Sequence, residues 1–330
     1  MKYNSELRQD LVSGDWIVIA PKRNLRPHQF AGKDRRVKAP KAGCPFEDLA
    51  KSGHEIISVY QKKKSKSWDV QIVKNKFPAL DHGNICAIKT REGPYSMIEG
   101  RGYQDMVIPK NHDKNFSQLD AESANLIFRA FQDRYRFFAS DSCLAYVSIF
   151  QNWGPKAGAS IYHPHYQMIA IPVVPPDVNH SLSGSARYFA KNKACVHCAM
   201  IEWEKKNGTR IIKENKGAIA FAPYVSREPF EMRIFPKKHL AYFEDEKEED
   251  FKWVVGLLQE SLSRMKIKLK DPDYNFFIHT APISEKSKHS HYHWHIEILP
   301  KISISAGFEL GTGIEITVVD PDEAAKILRS

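Results

Sequence analysis

What the chain does not contain narrows its possibilities first. No apolar run approaches the roughly 20 residues that a bilayer-spanning helix needs. The opening MKYNSELRQDLVSGDW has no apolar stretch of the secretory kind, so a cytoplasmic location is expected. Cysteine is scarce: Cys44, Cys86, Cys143, Cys195 and Cys198 are five among 330 residues. An odd, sparse set suits metal ligands or buried thiols better than a disulfide framework. No segment reads as a nucleic-acid-binding module, although the formal net charge is +10. The densest basic run, Lys62-Lys63-Lys64-Ser65-Lys66, has no interleaved aromatic residues and reads as a solvated face. Hydrophobic residues at 42% and charged residues at 27% are ordinary for a globular protein, and the length accommodates two domains.

What the chain does contain is a repeat. Cys44-Pro45-Phe46-Glu47 is followed by DMVIPKNH, ending at His112, and then by HPHYQ from His163 to Gln167. Further on, Cys195-Val196-His197-Cys198 is followed by EMRIFPKKH, ending at His239, and by HSHYHWHIE from His289 to Glu297. The middle elements align on an acidic residue, a Met, an apolar stretch, a Pro and a terminal His. Three matches in one order imply a duplicated domain. The boundary falls near 175–190, where Pro172, Pro175, Pro176 and SLSGS interrupt the periodic pattern, giving units 1–180 and 181–330. Segments 142–151 and 162–173 read as strands, the second by strict alternation. Segment 119–138 reads as an amphipathic helix capped by Asp120, with 244–269 as its counterpart. Strands beside one long helix in each half give an α+β class.

On a strand, alternate side chains share a face, so His163, His165 and Gln167 project together, as do His289, His291, His293, His295 and Glu297. So many polar groups inside an apolar strand need partners, which favours a site over structural histidines. Just upstream, Asn152-Trp153-Gly154-Pro155-Lys156-Ala157-Gly158-Ala159-Ser160 offers glycines for close backbone approach to a phosphate, with Asn and Ser as donors. The C-x-x-C of Cys195 and Cys198 has a spacing suited to zinc, and His239 and His293 can complete a closed tetrahedral set. His197, His291 or His295 could substitute for one of these ligands.

The stretch NWGPKAGASIYHPHYQ resembles the active-site signature of the galactose-1-phosphate uridylyltransferase family, in the histidine-triad superfamily. RQDLVSGDWIVIAPKRNLRP (8–27), GCPFE, NKFPALD (75–81) and AGFELGTG (306–313) extend the resemblance over nearly the whole chain. CVHC and GFELGTG look more like the ADP-glucose phosphorylase-like branch. The resemblance implies two tandem histidine-triad-like domains, each an antiparallel sheet with a long helix. It makes His165 a covalent nucleophile, with Gln167 and Ser160 holding phosphoryl oxygens and Asn152 contacting the nucleotide's phosphates. Arg23 and Arg26 match basic residues near the phosphates, and Asn75 a position near the nucleoside. Phe308 and Glu309 match hexose contacts supplied by the partner subunit of a homodimer. The family also carries a C-x-x-C with two histidines around zinc in the first half. Here Glu47 replaces the second cysteine, so either Cys44, Glu47, His112 and His163 hold zinc, or the metal is lost and His163 only packs.

The implied reaction is ping-pong transfer of a nucleoside monophosphate between a nucleotide sugar and hexose 1-phosphate, as in UDP-glucose–hexose-1-phosphate uridylyltransferases. An ADP-glucose or dinucleoside-polyphosphate phosphorylase, with inorganic phosphate as acceptor, is the alternative. A histidine-triad hydrolase is a further enzyme reading. A zinc-stabilised nucleic-acid-binding protein is the alternative from another class, disfavoured because the basic residues are scattered; neither nucleic acid nor a membrane is an expected partner.

Overall fold

A computed structural model describes residues 5–25, 36–81 and 86–330. Its centre is one ten-stranded antiparallel sheet. The first half supplies β1 (Ile56–Tyr60), β2 (Val70–Lys74), β3 (Tyr103–Pro109), β4 (Tyr146–Trp153) and β5 (Tyr166–Ile171). The second supplies β6 (Ile211–Glu214), β7 (Ala218–Phe221), β8 (Met232–Pro236), β9 (Tyr274–His279) and β10 (His295–Pro300). Across the sheet the order is β6-β7-β8-β10-β9-β4-β5-β3-β2-β1. Both halves thus use one strand order, and their fourth strands meet at the middle. The seam runs from Tyr274 opposite Trp153 to Ile278 opposite Ile149. The expected α+β class is what forms, but as a single sheet shared by the halves.

Helices α1 (Ala121–Ala139) and α4 (Glu248–Lys268) cover one face of that sheet. Asp120 caps α1, accepting the Ser123 N–H at 2.8 Å. Ile127, Phe128, Phe131, Tyr135 and Phe138 of α1 are buried at helical spacing, as are Phe251, Val254, Val255, Leu258, Leu262 and Met265 of α4. Phe128 touches rings from both halves, lying 5.4 Å from Phe131 and 5.8 Å from Phe251 between centroids. One core therefore serves the whole sheet.

Two expectations fail here. The segment read as a break is helix α2 (Pro176–Asn192), followed by α3 (Val196–Asn207). A proline in the first helical turn gives up no intrahelical donor, so Pro176 starts the helix instead of stopping it. Gly184 is a close-approach position: a Cβ there would lie 1.6 Å from the Val12 carbonyl oxygen. Secondly, Cys86 and Cys143 form a disulfide across 57 residues, because folding brings together two loops that composition gives no reason to pair. Only Cys44, Cys195 and Cys198 are free thiols.

The opposite face is covered unevenly. Phe46 and Leu49 pack over Val73, Met106 and Ile108 in the first half, and α3 places Ile201 over Ile219, Phe221 and Phe235 in the second. A small sheet joins Glu6–Gln9 and Trp16–Ile19 to Ile316–Thr317, which follows α5 (Gly307–Thr312) and precedes α6 (Pro321–Arg329). Arg8 ties it to the second half, reaching the Tyr224 carbonyl at 3.2 Å. Among the described residues no helix is long and apolar enough to cross a membrane.

Because Phe128 belongs to both halves' packing, Phe128→Ala should cost about 3–5 kcal/mol. Urea unfolding followed by near-ultraviolet circular dichroism should show the whole transition moving to lower denaturant. A shift confined to the signals of one half would contradict the shared core.

Candidate active site and metal centres

Strand alternation divides β4 and β5 cleanly. Val147, Ile149, Tyr166, Met168 and Ala170 join the core under the helices, which leaves Phe150, Asn152 and Gln167 on the other face. Between the strands the chain makes a 3-10 turn over Pro155–Ala157, flanked by Gly154 and Gly158, each with φ 87°. Asp273, just before β9, accepts the Lys156 N–H at 2.7 Å. A Cβ on Gly154 would stand 2.0 Å from Asp273 Oδ1, so only glycine allows this clamp. Arg36 braces the same carboxylate at 2.7 Å while its guanidinium stacks 4.2 Å from the Trp153 ring.

His163 and His165 lie just ahead of β5, which begins at Tyr166, so the expected continuous strand face is corrected. Pro164 has no N–H for a ladder, and the His163 carbonyl accepts a hydrogen bond from His165 Nδ1 at 2.9 Å. The same holds in the second half: β10 begins at His295, and His289, His291 and His293 sit in the preceding turn. A carbonyl can only accept, so Nδ1 of His165 carries the proton and Nε2 keeps its lone pair. Burial pushes the His165 pKa below its ordinary 6.5, partly opposed by the His163 hydrogen bond. The imidazole is therefore neutral near pH 7. Phe46 lies edge-on to it at 5.2 Å.

Two clusters have the character of metal centres. In the first half His112 Nε2 donates to the Ala39 carbonyl at 3.0 Å, and His163 Nε2 to the Pro109 carbonyl at 2.7 Å. Both Nδ1 lone pairs then turn inward, toward Cys44 Sγ, 3.6 Å from His163 Nδ1, and toward Glu47. Glu47 Oε1 is 2.9 Å from His112 Nδ1 and 3.5 Å from His163 Nδ1. Both Glu47 Oε1 and His112 Nδ1 are buried without a hydrogen-bond partner. Cys44, His112 and His163 are close enough to share a metal ion, and Glu47 lies beside them, against both histidines. In the second half Cys198 Sγ is 3.4 Å from His239 Nδ1 and 3.5 Å from His293 Nδ1, with Cys195 completing the group. His239 Nε2 donates to the Ser290 carbonyl at 2.8 Å. Cys195 and Cys198 share a proton: hydrogen bonding from Cys198 and from the histidines pushes the Cys195 thiol down, and the same contact together with burial pushes Cys198 up. His197, His291 and His295 lie outside this group.

The second half repeats the layout around His165 with different side chains. His295 Nδ1 donates to the His293 carbonyl at 3.0 Å, as His165 does to His163. Glu297 faces Phe277 and Arg233 where Gln167 faces Phe150 and Met106. Arg227 holds Glu297 at 2.8 Å and Arg233 at 3.0 Å. Burial alone would raise this carboxyl, but Arg233, His279 and Arg227 keep it well below the carboxylate range. A permanent anion at the place of Gln167 repels a phosphate. His279, His295 and Glu297 are close enough to share a cation, yet the two arginines already compensate the carboxylate.

The structure draws Asn75 to this region, its N–H bonded to the Gln104 carbonyl at 3.0 Å. Ser160 is exposed at the end of the glycine loop. Arg23 follows the small sheet, and Phe308 and Glu309 lie on α5, which precedes its last strand; that sheet is anchored to the second half. Arg26 lies outside the described residues. Sequence reasoning missed Gln104, Asp273 and Asn275, which support the loop and Gln167. Gln104 and Asn275 carried a readable signal, as polar residues at alternating positions in otherwise apolar strands.

Comparison with known proteins gives this geometry a lineage. The galactose-1-phosphate uridyl transferase N-terminal domain matches residues 1–175, and a domain of unknown function (DUF4921) matches residues 97–329. The chain is 33% identical to ADP-glucose phosphorylase of Arabidopsis thaliana over 98% of its own length and 92% of that protein's. It is 25% identical to galactose-1-phosphate uridylyltransferase of Thermotoga maritima over 98% of both. The crystal structure of the Arabidopsis thaliana phosphorylase with bound ADP-glucose superposes with a TM-score of 0.83 at 30% identity, covering 99% of each chain. A neutral histidine beside a glycine-rich loop, a second half with the same strand order and likeness along the full length lead to one conclusion: the chain belongs to the galactose-1-phosphate uridylyltransferase family, whose members act on nucleotide sugars.

Proposed function

We propose that this protein is a nucleotide-sugar phosphorylase, moving a nucleoside monophosphate to inorganic phosphate through a covalent intermediate on His165. The observation that carries this reading is the fixed tautomer of His165, whose Nδ1 proton is committed to the His163 carbonyl. The motifs alone put hexose-1-phosphate uridylyltransferase first. The 33% identity to an ADP-glucose phosphorylase, nearly end to end, favours phosphate as acceptor and ADP-glucose as donor. The uridylyltransferase reading stays as the second, supported by full-length likeness to the Thermotoga maritima enzyme.

In the first step His165 Nε2 attacks the α-phosphorus; a P–N bond forms and the P–O bond to the sugar phosphate breaks. The leaving group, a sugar 1-phosphate, is a stable anion and needs little protonation. In the second step a phosphate oxygen attacks the same phosphorus, the P–N bond breaks and its electron pair returns to Nε2. Neither step requires a carboxylate acid–base pair. The site's work is positioning and charge stabilisation by Asn152, Ser160, Gln167 and the loop backbone. Phe308 and Glu309 would contact the hexose from the partner subunit of a homodimer, and Arg23 and Arg26 match basic residues near the phosphates.

Both metal centres suit zinc: Cys44, Glu47, His112 and His163 in the first half, and Cys195, Cys198, His239 and His293 in the second. A zinc ion bound there would be a structural cross-link. In the first half it would hold His163, and through it the carbonyl that orients His165.

With ADP-glucose as donor, turnover with phosphate should exceed turnover with galactose 1-phosphate, and His165→Ala should lower it by roughly 10⁴-fold or more. Faster transfer from UDP-glucose to galactose 1-phosphate would instead return the second reading. Metal analysis should find two zinc ions per chain. In Cys44→Ala one zinc should be lost and the thermal midpoint should fall, with acceptor preference unchanged; full zinc content in that variant would contradict the first-half site.

A further inference from the structure

We infer that Gln104 and Asn275 are positioning residues that fix which end of the Gln167 and Asn152 side-chain amides faces the phosphates. This rests on the proposed phosphoryl transfer at His165 and adds to it two residues that act through the amides they orient.

A primary amide can present either its oxygen or its NH2 group, and only the second suits a phosphoryl oxygen. Each orientation here is anchored on a backbone group whose role is unambiguous. The Ala79 N–H donates to Gln104 Oε1 at 2.7 Å. The Gln104 NH2 group must then be the other end, and it donates to Gln167 Oε1 at 3.1 Å. Gln167 has its oxygen committed, and among the described residues no acceptor takes its NH2 group. The second chain starts from the Ala157 carbonyl, which accepts from Asn275 Nδ2 at 2.8 Å. The same NH2 group donates to Asn152 Oδ1 at 2.8 Å. Asn152 Nδ2 is thereby turned toward the glycine loop, 3.6 Å from where a Cβ on Gly158 would stand. Asn275 lies on β9, directly across the seam from Asn152. The half without a nucleophile thus supplies the group that orients a donor for the half that has one.

The second half has lost the equivalent arrangement. By strand register, Glu231 occupies the position of Gln104, and it pairs with Arg233 at 3.1 Å. A carboxylate there has no N–H to pass on.

The test is the rate of His165 nucleotidylation in a single turnover with radiolabelled ADP-glucose and UDP-glucose, from pH 5 to pH 8. Gln104→Glu and Asn275→Asp place an acceptor where a donor is needed, with nearly unchanged shape. Each should slow nucleotidylation by roughly 10- to 100-fold at pH 8, with zinc content and thermal midpoint near wild type. The deficit relative to wild type should shrink as pH falls, because a protonated carboxyl donates again. Gln104→Ala and Asn275→Ala should be slow at every pH. If wild type is never labelled, the transfer reading itself fails. If wild type is labelled and the Glu and Asp variants match it, or show a deficit independent of pH, the positioning role is overturned.

Discussion

The hydrogen bond from His165 Nδ1 to the His163 carbonyl is the interaction on which the proposed chemistry depends. It sets the tautomer, leaves the lone pair on Nε2 and ties the ring to its neighbour. That neighbour points its own Nδ1 at Cys44 and Glu47 and anchors its Nε2 on Pro109. His163 of the first-half Cys/His cluster and His165, the proposed nucleophile, are therefore two residues of one short segment. The ordinary difficulty with a buried histidine, that burial lowers its pKa, is an advantage here, since only the neutral ring can attack phosphorus.

The same backbone device recurs at His295, so duplication explains the geometry but not the chemistry. What separates the halves is charge. Gln167 is neutral and can donate; Glu297 is a buried anion held by two arginines. Breaking that network would leave a buried charge without a partner, a costly change. The second half meets the first at the seam, where Asp273 and Asn275 reach across to the glycine loop and Asn152.

Much of this was legible in the sequence because the informative residues sit in short, dense motifs. HPHYQ, the loop before it, CVHC and the repeated order of histidines are local features, and the α+β class followed from ordinary periodicity. The misreadings arose where distance in sequence hides contact. Aligning Asp105 with Glu231 by similarity slips the true register by one, and a one-residue slip reverses faces. Asp105 pairs with Arg134 of α1 at 2.6 Å, whereas Glu231 pairs with Arg233 on the other side of the sheet. The joining of both halves into one sheet, the Cys86–Cys143 pairing and the role of Asn275 depend on contacts between residues more than 50 apart, which no local pattern displays.

The central claim is that nucleotide passes through a covalent bond to one histidine nitrogen. Intact-mass analysis of the enzyme quenched at alkaline pH after mixing with ADP-glucose, followed by peptide mapping, tests it directly. The account predicts a protein carrying one added nucleoside monophosphate per chain, on the peptide containing His165, released as a nucleoside diphosphate when phosphate is added. Turnover with no adduct in wild type, or an adduct that persists in His165→Ala, would contradict it.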